Sequence, residues 1–299
     1  MKRKIIQIAK STKVVSLPKS WTLQYNINKG DEVFLYQIKN NILIKTLNQK
    51  SDEVNLDITG LDSDLTWRYL ITAYRKGSEI IKVKYSPEVT EILHTYIKDL
   101  VGMAAIKQKE DVIILKDFFY NYSGADANSL IKRVFNLVID MSKDILIGIK
   151  ERDVNSLKSV EYRDYNINKF TNLCLRTLNK NLSEDYNMSL SMYKFVSLLE
   201  EIGDEYRRMA LVFSRNTTNL DNETLELFNE VNLLLNECYD LFYGYSKEKL
   251  IIFHDKANEI LHRLKKSYKA KKNGQILSSL DTILHLIKNL CEESLVVSI

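Results

Sequence analysis

Glu200 and Asp204 stand four residues apart, as do Asp255 and Glu259; Asp164 stands four before Asn168, and Asp281 four before His285. In a helix, positions i and i+4 share a face, so each pair offers two donors to one point in space. A hard cation wants several oxygen ligands and finds them where two helices bring such pairs together, which makes a divalent or iron-type metal ion the chemistry these residues suggest. The same spacing has a plainer reading: carboxylates four apart are common on solvated faces, and Arg207 or Arg208 can pair with Asp204 or Glu200. Spacing alone leaves both open. The order of the pairs adds a pattern. Asp164/Asn168 and then Glu200/Asp204 are followed by Asp255/Glu259 and then Asp281/His285, with an offset of 91 residues for the first members and 81 for the last. That order suggests an internal duplication of a three-helix unit.

Other chemistry is thinly represented. His94, His254, His262 and His285 form no pair at metal-helix spacing, and none adjoins a serine or cysteine in a nucleophile motif. Cys174, Cys238 and Cys291 are odd in number, far apart and set among apolar residues, the pattern of buried inert thiols rather than of a disulfide framework or zinc knuckle. The tyrosines, including Tyr162, Tyr165, Tyr193 and Tyr206, recur at helical spacing and read as amphipathic packing residues. The expectation is a protein that is not an enzyme.

The second constellation is one of charge. The chain carries +4 overall, but residues 1–50 hold ten Lys or Arg against Asp31 and Glu32, a net of +8, which leaves the other 249 residues at −4. Concentrated cations are what a phosphate backbone selects, because each neutralised phosphate releases condensed counterions. A later run, Arg263, Lys265, Lys266, Lys269, Lys271 and Lys272, reads more simply as a solvated helix end whose cations complement the helix dipole.

The elements that must position these residues divide the chain into domains at 1–48, 49–122 and 123–299. The first reads as short β-branched strands, Ile5–Ile8, Val14–Leu17, Glu32–Tyr36 and Asn41–Ile44, with one short helix from Pro18 to Tyr25 and a hairpin loop at Lys39-Asn40-Asn41. So small a unit has too little core of its own, which implies an intertwined homodimer. The second is a small α/β unit: a helix over Leu61–Arg75, a strand over Glu79–Lys84, a helix over Glu88–Val101 and a strand over Val112–Leu115. From Asp126 on there is no proline, and apolar residues recur every three or four positions, as in Leu199, Ile202, Tyr206 and Met209. Breaks near Asp153, Ser183, Asp221, Ser246 and Gly274 give about six helices with short connections. No apolar run approaches the ~20 residues of a membrane span, and the basic start is followed by no signal-peptide core, so no membrane insertion and a cytoplasmic location are expected.

Two resemblances follow from particular residues. Leu198-Leu199-Glu200-Glu201-Ile202-Gly203-Asp204-Glu205-Tyr206-Arg207-Arg208-Met209-Ala210 resembles the signature of the PhoU family, Glu-Arg-Ile-Gly-Asp with its helical continuation, and Asp164-Tyr165-Asn166-Ile167-Asn168 resembles its upstream partner. In the second half, Asp281-Thr282-Ile283-Leu284-His285 keeps the place of the motif but has Leu for its Gly and His for its Asp. The resemblance covers roughly Asp126 to Ile299. It implies two three-helix bundles, metal held by Asp164, Asn168, Glu200, Asp204, Asp255, Glu259, Asp281 and His285, and a part in phosphate-responsive regulation. Val14-Val15-Ser16-Leu17-Pro18-Lys19-Ser20-Trp21, followed by Ile27-Asn28-Lys29-Gly30-Asp31-Glu32-Val33, is similar to the AbrB/SpoVT swapped-hairpin family. That resemblance implies strands exchanged between two chains and contacts to double-stranded DNA from Arg3, Lys4, Lys10, Lys13 and Lys19. Lys10-Ser11-Thr12-Lys13 stands where the family usually has a loop glycine.

Together these features resemble the archaeal-type phosphate uptake regulators. The fold class expected is mainly α with a β-rich N-terminus: an AbrB-like swapped-hairpin module, a small α/β connector and a PhoU-like six-helix domain. The function expected is a homodimeric, DNA-binding regulator of phosphate uptake. The alternative is an adaptor that docks on phosphate-transporter components, with the N-terminal module serving dimerisation. A metal-storage bundle is a third, weaker reading.

Overall fold

The first 52 residues and the rest of the chain are separate compact units, Met1–Asp52 and Glu53–Ile299. The computed structural model describes residues 1–38, 40–46, 52–119, 127–181, 186–215, 219–269 and 273–298, without the side chains of Ile38, Asn181, Tyr186, Asn187, Lys269 and Ser298. Lys39 of the expected hairpin loop, Asp126, Ser183, Lys271 and Lys272 lie outside the described residues, as do the expected domain boundaries at 48/49 and 122/123.

In the first unit, β1 (Ile6–Gln7) pairs antiparallel with β2 (Lys13–Val14), Ile6 opposite Val14. Pro18, with φ −64° already near the helical value, precedes α1 (Lys19–Gln24). A longer hairpin follows, β3 (Val33–Ile38) against β4 (Asn41–Thr46), in register from Val33 opposite Thr46 to Ile38 opposite Asn41. β1, β3 and β4 fall on the β-branched runs, whereas β2 shares only Val14 with the expected Val14–Leu17, and the first two strands are shorter than their runs. Among the described residues of this unit no apolar side chain is buried, and Ile5, Ile8, Leu23, Leu35 and Ile42 are 65–71% exposed.

The second unit begins with a mixed four-stranded sheet in the order β5 (Glu53–Asp57), β6 (Ile80–Lys84), β8 (Val112–Asp117), β7 (Met103–Gln108). β5 and β6 run parallel and are joined through α2 (Ser63–Lys76); the remaining pairs are antiparallel. Asp62 caps α2 by accepting from the Leu65 N–H, and Gly77 ends it at φ +98°, a left-handed conformation that costs glycine little. A short 3-10 turn (Pro87–Val89) leads into α3 (Thr90–Ile97). Leu70, Tyr74, Ile81, Val83, Leu93, Ile113 and Leu115 form the core between sheet and helices.

Six long helices follow among the described residues: α4 (Ala127–Glu151), α5 (Val154–Asn181), α6 (Tyr186–Arg215), α7 (Asn222–Tyr243), α8 (Lys247–Lys269) and α9 (Gly274–Ser298). On α4, Ile131, Val134, Val138, Met141, Ile145 and Ile149 recur at three- and four-residue intervals and are buried, the stripe that a helix facing a core must carry. α4 packs on α5 and α6, and α7 on α8 and α9. The two triplets are not independent bundles: α6 lies against α9 and α4 against α7, and one buried apolar cluster runs from Ile131 to Cys291. The three cysteines are buried in it and form no disulfide among the described residues. Tyr206 donates to Asn232 Oδ1 at 2.6 Å and Asn232 Nδ2 donates to the Ser142 carbonyl at 3.0 Å, so a satisfied polar chain ties α6, α7 and α4 together. No helix among the described residues is long and apolar enough to cross a membrane.

Candidate functional site

Helix α5 serves two neighbours at once. Tyr165, Lys169, Asn172, Arg176 and Asn179 fall at intervals of four, three, four and three residues, the repeat of a single helical face, and all of them reach the α/β unit. Tyr165 hydrogen-bonds to Asp99, and Lys169 Nζ donates to the Lys98 carbonyl at 3.3 Å. Arg176 donates to the carbonyls of Tyr74 (2.6 Å) and Ser78 (2.9 Å) and to Asp117 Oδ2 (2.7 Å), with its guanidinium 4.7 Å from the centre of the Tyr74 ring. Lys180 Nζ adds a second cation 2.9 Å from Asp117 Oδ2. Burial alone would raise the Asp117 carboxyl, but the bonds from Arg176 and Lys180 outweigh it and hold it below the usual carboxylate range.

Beside this face stand the candidate ligands of the first half. Asp164 on α5 is only 7% exposed; Asn168 Nδ2 donates to its Oδ2 at 3.1 Å, and Arg207 Nε of α6 lies 3.1 Å from the same oxygen. Asp164 Oδ1 is buried and accepts no hydrogen bond. Glu200 is reached from outside the helical part: Arg75, in the last turn of α2, places Nη2 3.2 Å from Oε1 and 3.3 Å from Oε2 of Glu200, and donates through Nε to Asn172 Oδ1 at 2.6 Å. Arg207 Nη2 donates to Asp204 Oδ1 at 3.4 Å, so Arg207 bridges Asp164 and Asp204. Burial lifts the Asp164 carboxyl to about 6, with Asp204 and Glu200 adding to the rise and Arg207 opposing it. Glu200 is also raised, first by burial, with Arg75 opposing.

The cluster is therefore a set of three carboxylates interleaved with two guanidinium groups. Its donors are of the hard-oxygen kind that Mg²⁺, Mn²⁺ or Ca²⁺ selects, and the unbonded Asp164 Oδ1 fits a cation. As the side chains stand, however, no group of three or more His, Cys, Asp or Glu among the described residues is arranged to hold a metal ion, and arginines lie among the carboxylates. The plainer reading of the spacing holds for Arg207 with Asp204; Arg208 pairs instead with Glu205.

The second half is gathered less. Asp255 and Glu259 are exposed on α8, and on α9 the exposed His285 has Nε2 3.8 Å from Asp281 Oδ1. No hydrogen bond among the described residues joins the α8 pair to the α9 pair; Lys288 and Asn258 join these helices instead, at 3.3 Å. In the basic run, Arg263 pairs with Glu230 at 2.6 Å and Glu226 at 3.4 Å, a structural use. Arg3, Lys4, Lys10, Lys13 and Lys19 are all exposed on the first unit: Arg3 and Lys4 precede β1, Lys10 lies between β1 and β2, Lys13 opens β2 and Lys19 opens α1.

Arg75, Asn172 and Arg176 carry no weight in the sequence pattern. Asn172 had a signal, since it extends the Asp164, Asn168 series by another four residues. Arg75 had none, lying 125 residues before its partner Glu200.

No curated protein matches the chain. Among solved structures, the chain is similar to the phosphate transport system regulatory protein PhoU from Streptococcus pneumoniae, with 16% identity, a TM-score of 0.47, and coverage of 56% of this chain and 91% of that one. Residues 131–212, from the first buried turn of α4 to near the end of α6, match the PhoU domain.

Proposed function

We propose that this chain regulates phosphate uptake, its helical domain docking on a component of a phosphate transporter or on the protein that relays the transporter's state. The match of residues 131–212 to the PhoU domain carries the reading, because that stretch contains Asp164, Asn168, Glu200 and Asp204 together. In this reading Asp164, Glu200 and Asp204 take a divalent cation, with Asn168 as a neutral oxygen donor; the cation would supply the positive charge that these carboxylates otherwise draw from arginine. The buried, unbonded Asp164 Oδ1 supports it.

The N-terminal unit supports a second reading. Its net charge of +8 over residues 1–50 and its uncovered apolar side chains favour two copies assembling through those side chains and presenting Arg3, Lys4, Lys10, Lys13 and Lys19 to the phosphates of double-stranded DNA. One experiment addresses both. The full chain, affinity-tagged and cross-linked in cells grown with ample or scarce phosphate, is isolated and its bound proteins and DNA are identified. Docking predicts transporter or relay proteins enriched over an untagged control with a phosphate-dependent yield; their absence in both conditions refutes it. Recovery of discrete DNA fragments is the result the second reading requires.

A further inference from the structure

Resting on the reading that Asp164, Glu200 and Asp204 take a divalent cation, we propose that Arg75 of the α/β unit is an internal competitor for that cation, so that cation binding and the grip of Arg75 on the helical domain exclude each other. Arg75 touches the site through its side chain alone. Its backbone is fixed from the other direction: Asn179 Nδ2 donates to the Arg75 carbonyl at 2.6 Å, and Arg176 holds the preceding carbonyl of Tyr74, also at 2.6 Å. A pinned backbone whose side chain alone reaches the carboxylates is a gate with a fixed hinge.

The contact that must open is the weaker kind. Charge-assisted N–H···O bonds are usually about 2.7–2.9 Å, whereas a single Arg75 nitrogen is shared between the two Glu200 oxygens at 3.2 and 3.3 Å. The two side chains are 29% and 23% exposed, so water can take over each partner on release. The Arg176–Asp117 pair shows the contrast: it is 4% exposed on both sides at 2.7 Å and holds the α/β unit whether or not Arg75 lets go. Charge favours the exchange. Asp164, Glu200 and Asp204 ionised against Arg75 and Arg207 leave one net negative charge, and replacing Arg75 by a divalent cation brings these groups to neutrality.

The test is a calorimetric titration of the full chain with Mn²⁺, comparing the parent protein with Arg75→Gln and with Glu200→Gln/Asp204→Asn. Arg75→Gln should tighten Mn²⁺ binding about tenfold, within the ~5–150-fold range of coupled sites, and the double variant should lose it. Asn172→Ala, which removes the 2.6 Å contact to Nε but keeps every charge, should tighten binding by a smaller factor and carries the test should Arg75→Gln fail to fold. Equal affinity in the parent, Arg75→Gln and Asn172→Ala overturns the competition while leaving the cation site intact. Absence of Mn²⁺ binding in parent and Arg75→Gln alike, or binding that survives in Glu200→Gln/Asp204→Asn, overturns the cation site itself and the competition with it.

Discussion

Arg176 and Asp117 meet at 2.7 Å with each side chain only 4% exposed, and they join a helix of one core to the last strand of another. Breaking a buried pair from one side leaves an uncompensated charge. Arg176→Ala should therefore cost on the order of 3–5 kcal/mol in urea unfolding, with the α/β unit losing protection from hydrogen exchange before the helices do. A loss under about 1 kcal/mol would mean that Lys180 alone satisfies Asp117.

Asp164 should titrate near 6, because burial disfavours its charge more than Arg207 restores it. The folded state then holds a proton that the unfolded chain releases near its ordinary value of 3.8. Stability from this group is complete below that value and is lost as pH rises through the folded pKa, by at most about 3 kcal/mol. Unfolding free energies measured between about pH 4 and 7 should fall more steeply in the parent than in Asp164→Asn. Parallel curves would show that Asp164 is not held protonated.

The two halves of the helical domain should be unequal. Glu200→Ala/Asp204→Ala should abolish binding of a hard cation, whereas His285→Ala should leave it unchanged, since His285 is exposed and an imidazole is a poor ligand for Mg²⁺ or Ca²⁺. Equal losses in the two proteins would place a working site on α8 and α9.

DNA binding, tested on the full chain, should weaken steeply with salt, with a log–log slope near −0.9 per phosphate contact. Lys10→Ala/Lys13→Ala/Lys19→Ala should flatten that slope. A slope near zero in the parent protein would remove DNA from its partners.

Two glycines should respond oppositely to alanine. At Gly203 the nearest atoms to an added Cβ are Ile167 Cγ2 at 3.5 Å and Ile167 Cδ1 at 3.6 Å, ordinary contacts, so Gly203→Ala should be neutral or gain up to about 1 kcal/mol from helix propensity. At Gly77 the Cβ would sit 2.9 Å from Lys180 Cγ on a backbone at φ +98°, so Gly77→Ala should lose roughly 1–2 kcal/mol or more. Thermal melting of both variants checks the pair.

The long helices were legible because their apolar stripes are uninterrupted and their breaks fall near Asp153, Asp221, Ser246 and Gly274. β5 and β7 were not. β5, Glu53-Val54-Asn55-Leu56-Asp57, has charged residues on one face, matched by Lys82 and Lys84 on its neighbour, and reads as loop until that neighbour is known. β7 is an edge strand with Ala104 and Ala105 near its start, a composition with little strand preference. At the site, the i, i+4 rule found Asp164, Glu200 and Asp204 because it is a property of one helix. It could not find Arg75, which is brought in by the packing of a different element, nor could it tell that Asp255 and Glu259 face solvent.

The uncovered apolar side chains of the first unit tie its behaviour to copy number. If a second chain supplies the missing burial, the amount of assembled module rises with the square of protein concentration at low occupancy, whereas the helical domain folds at any dilution on its own core. Halving the protein's concentration would then cut assembled N-terminal modules about fourfold in that regime while only halving the helical domains. Synthesis rate alone could shift the balance between the two ends of the same polypeptide.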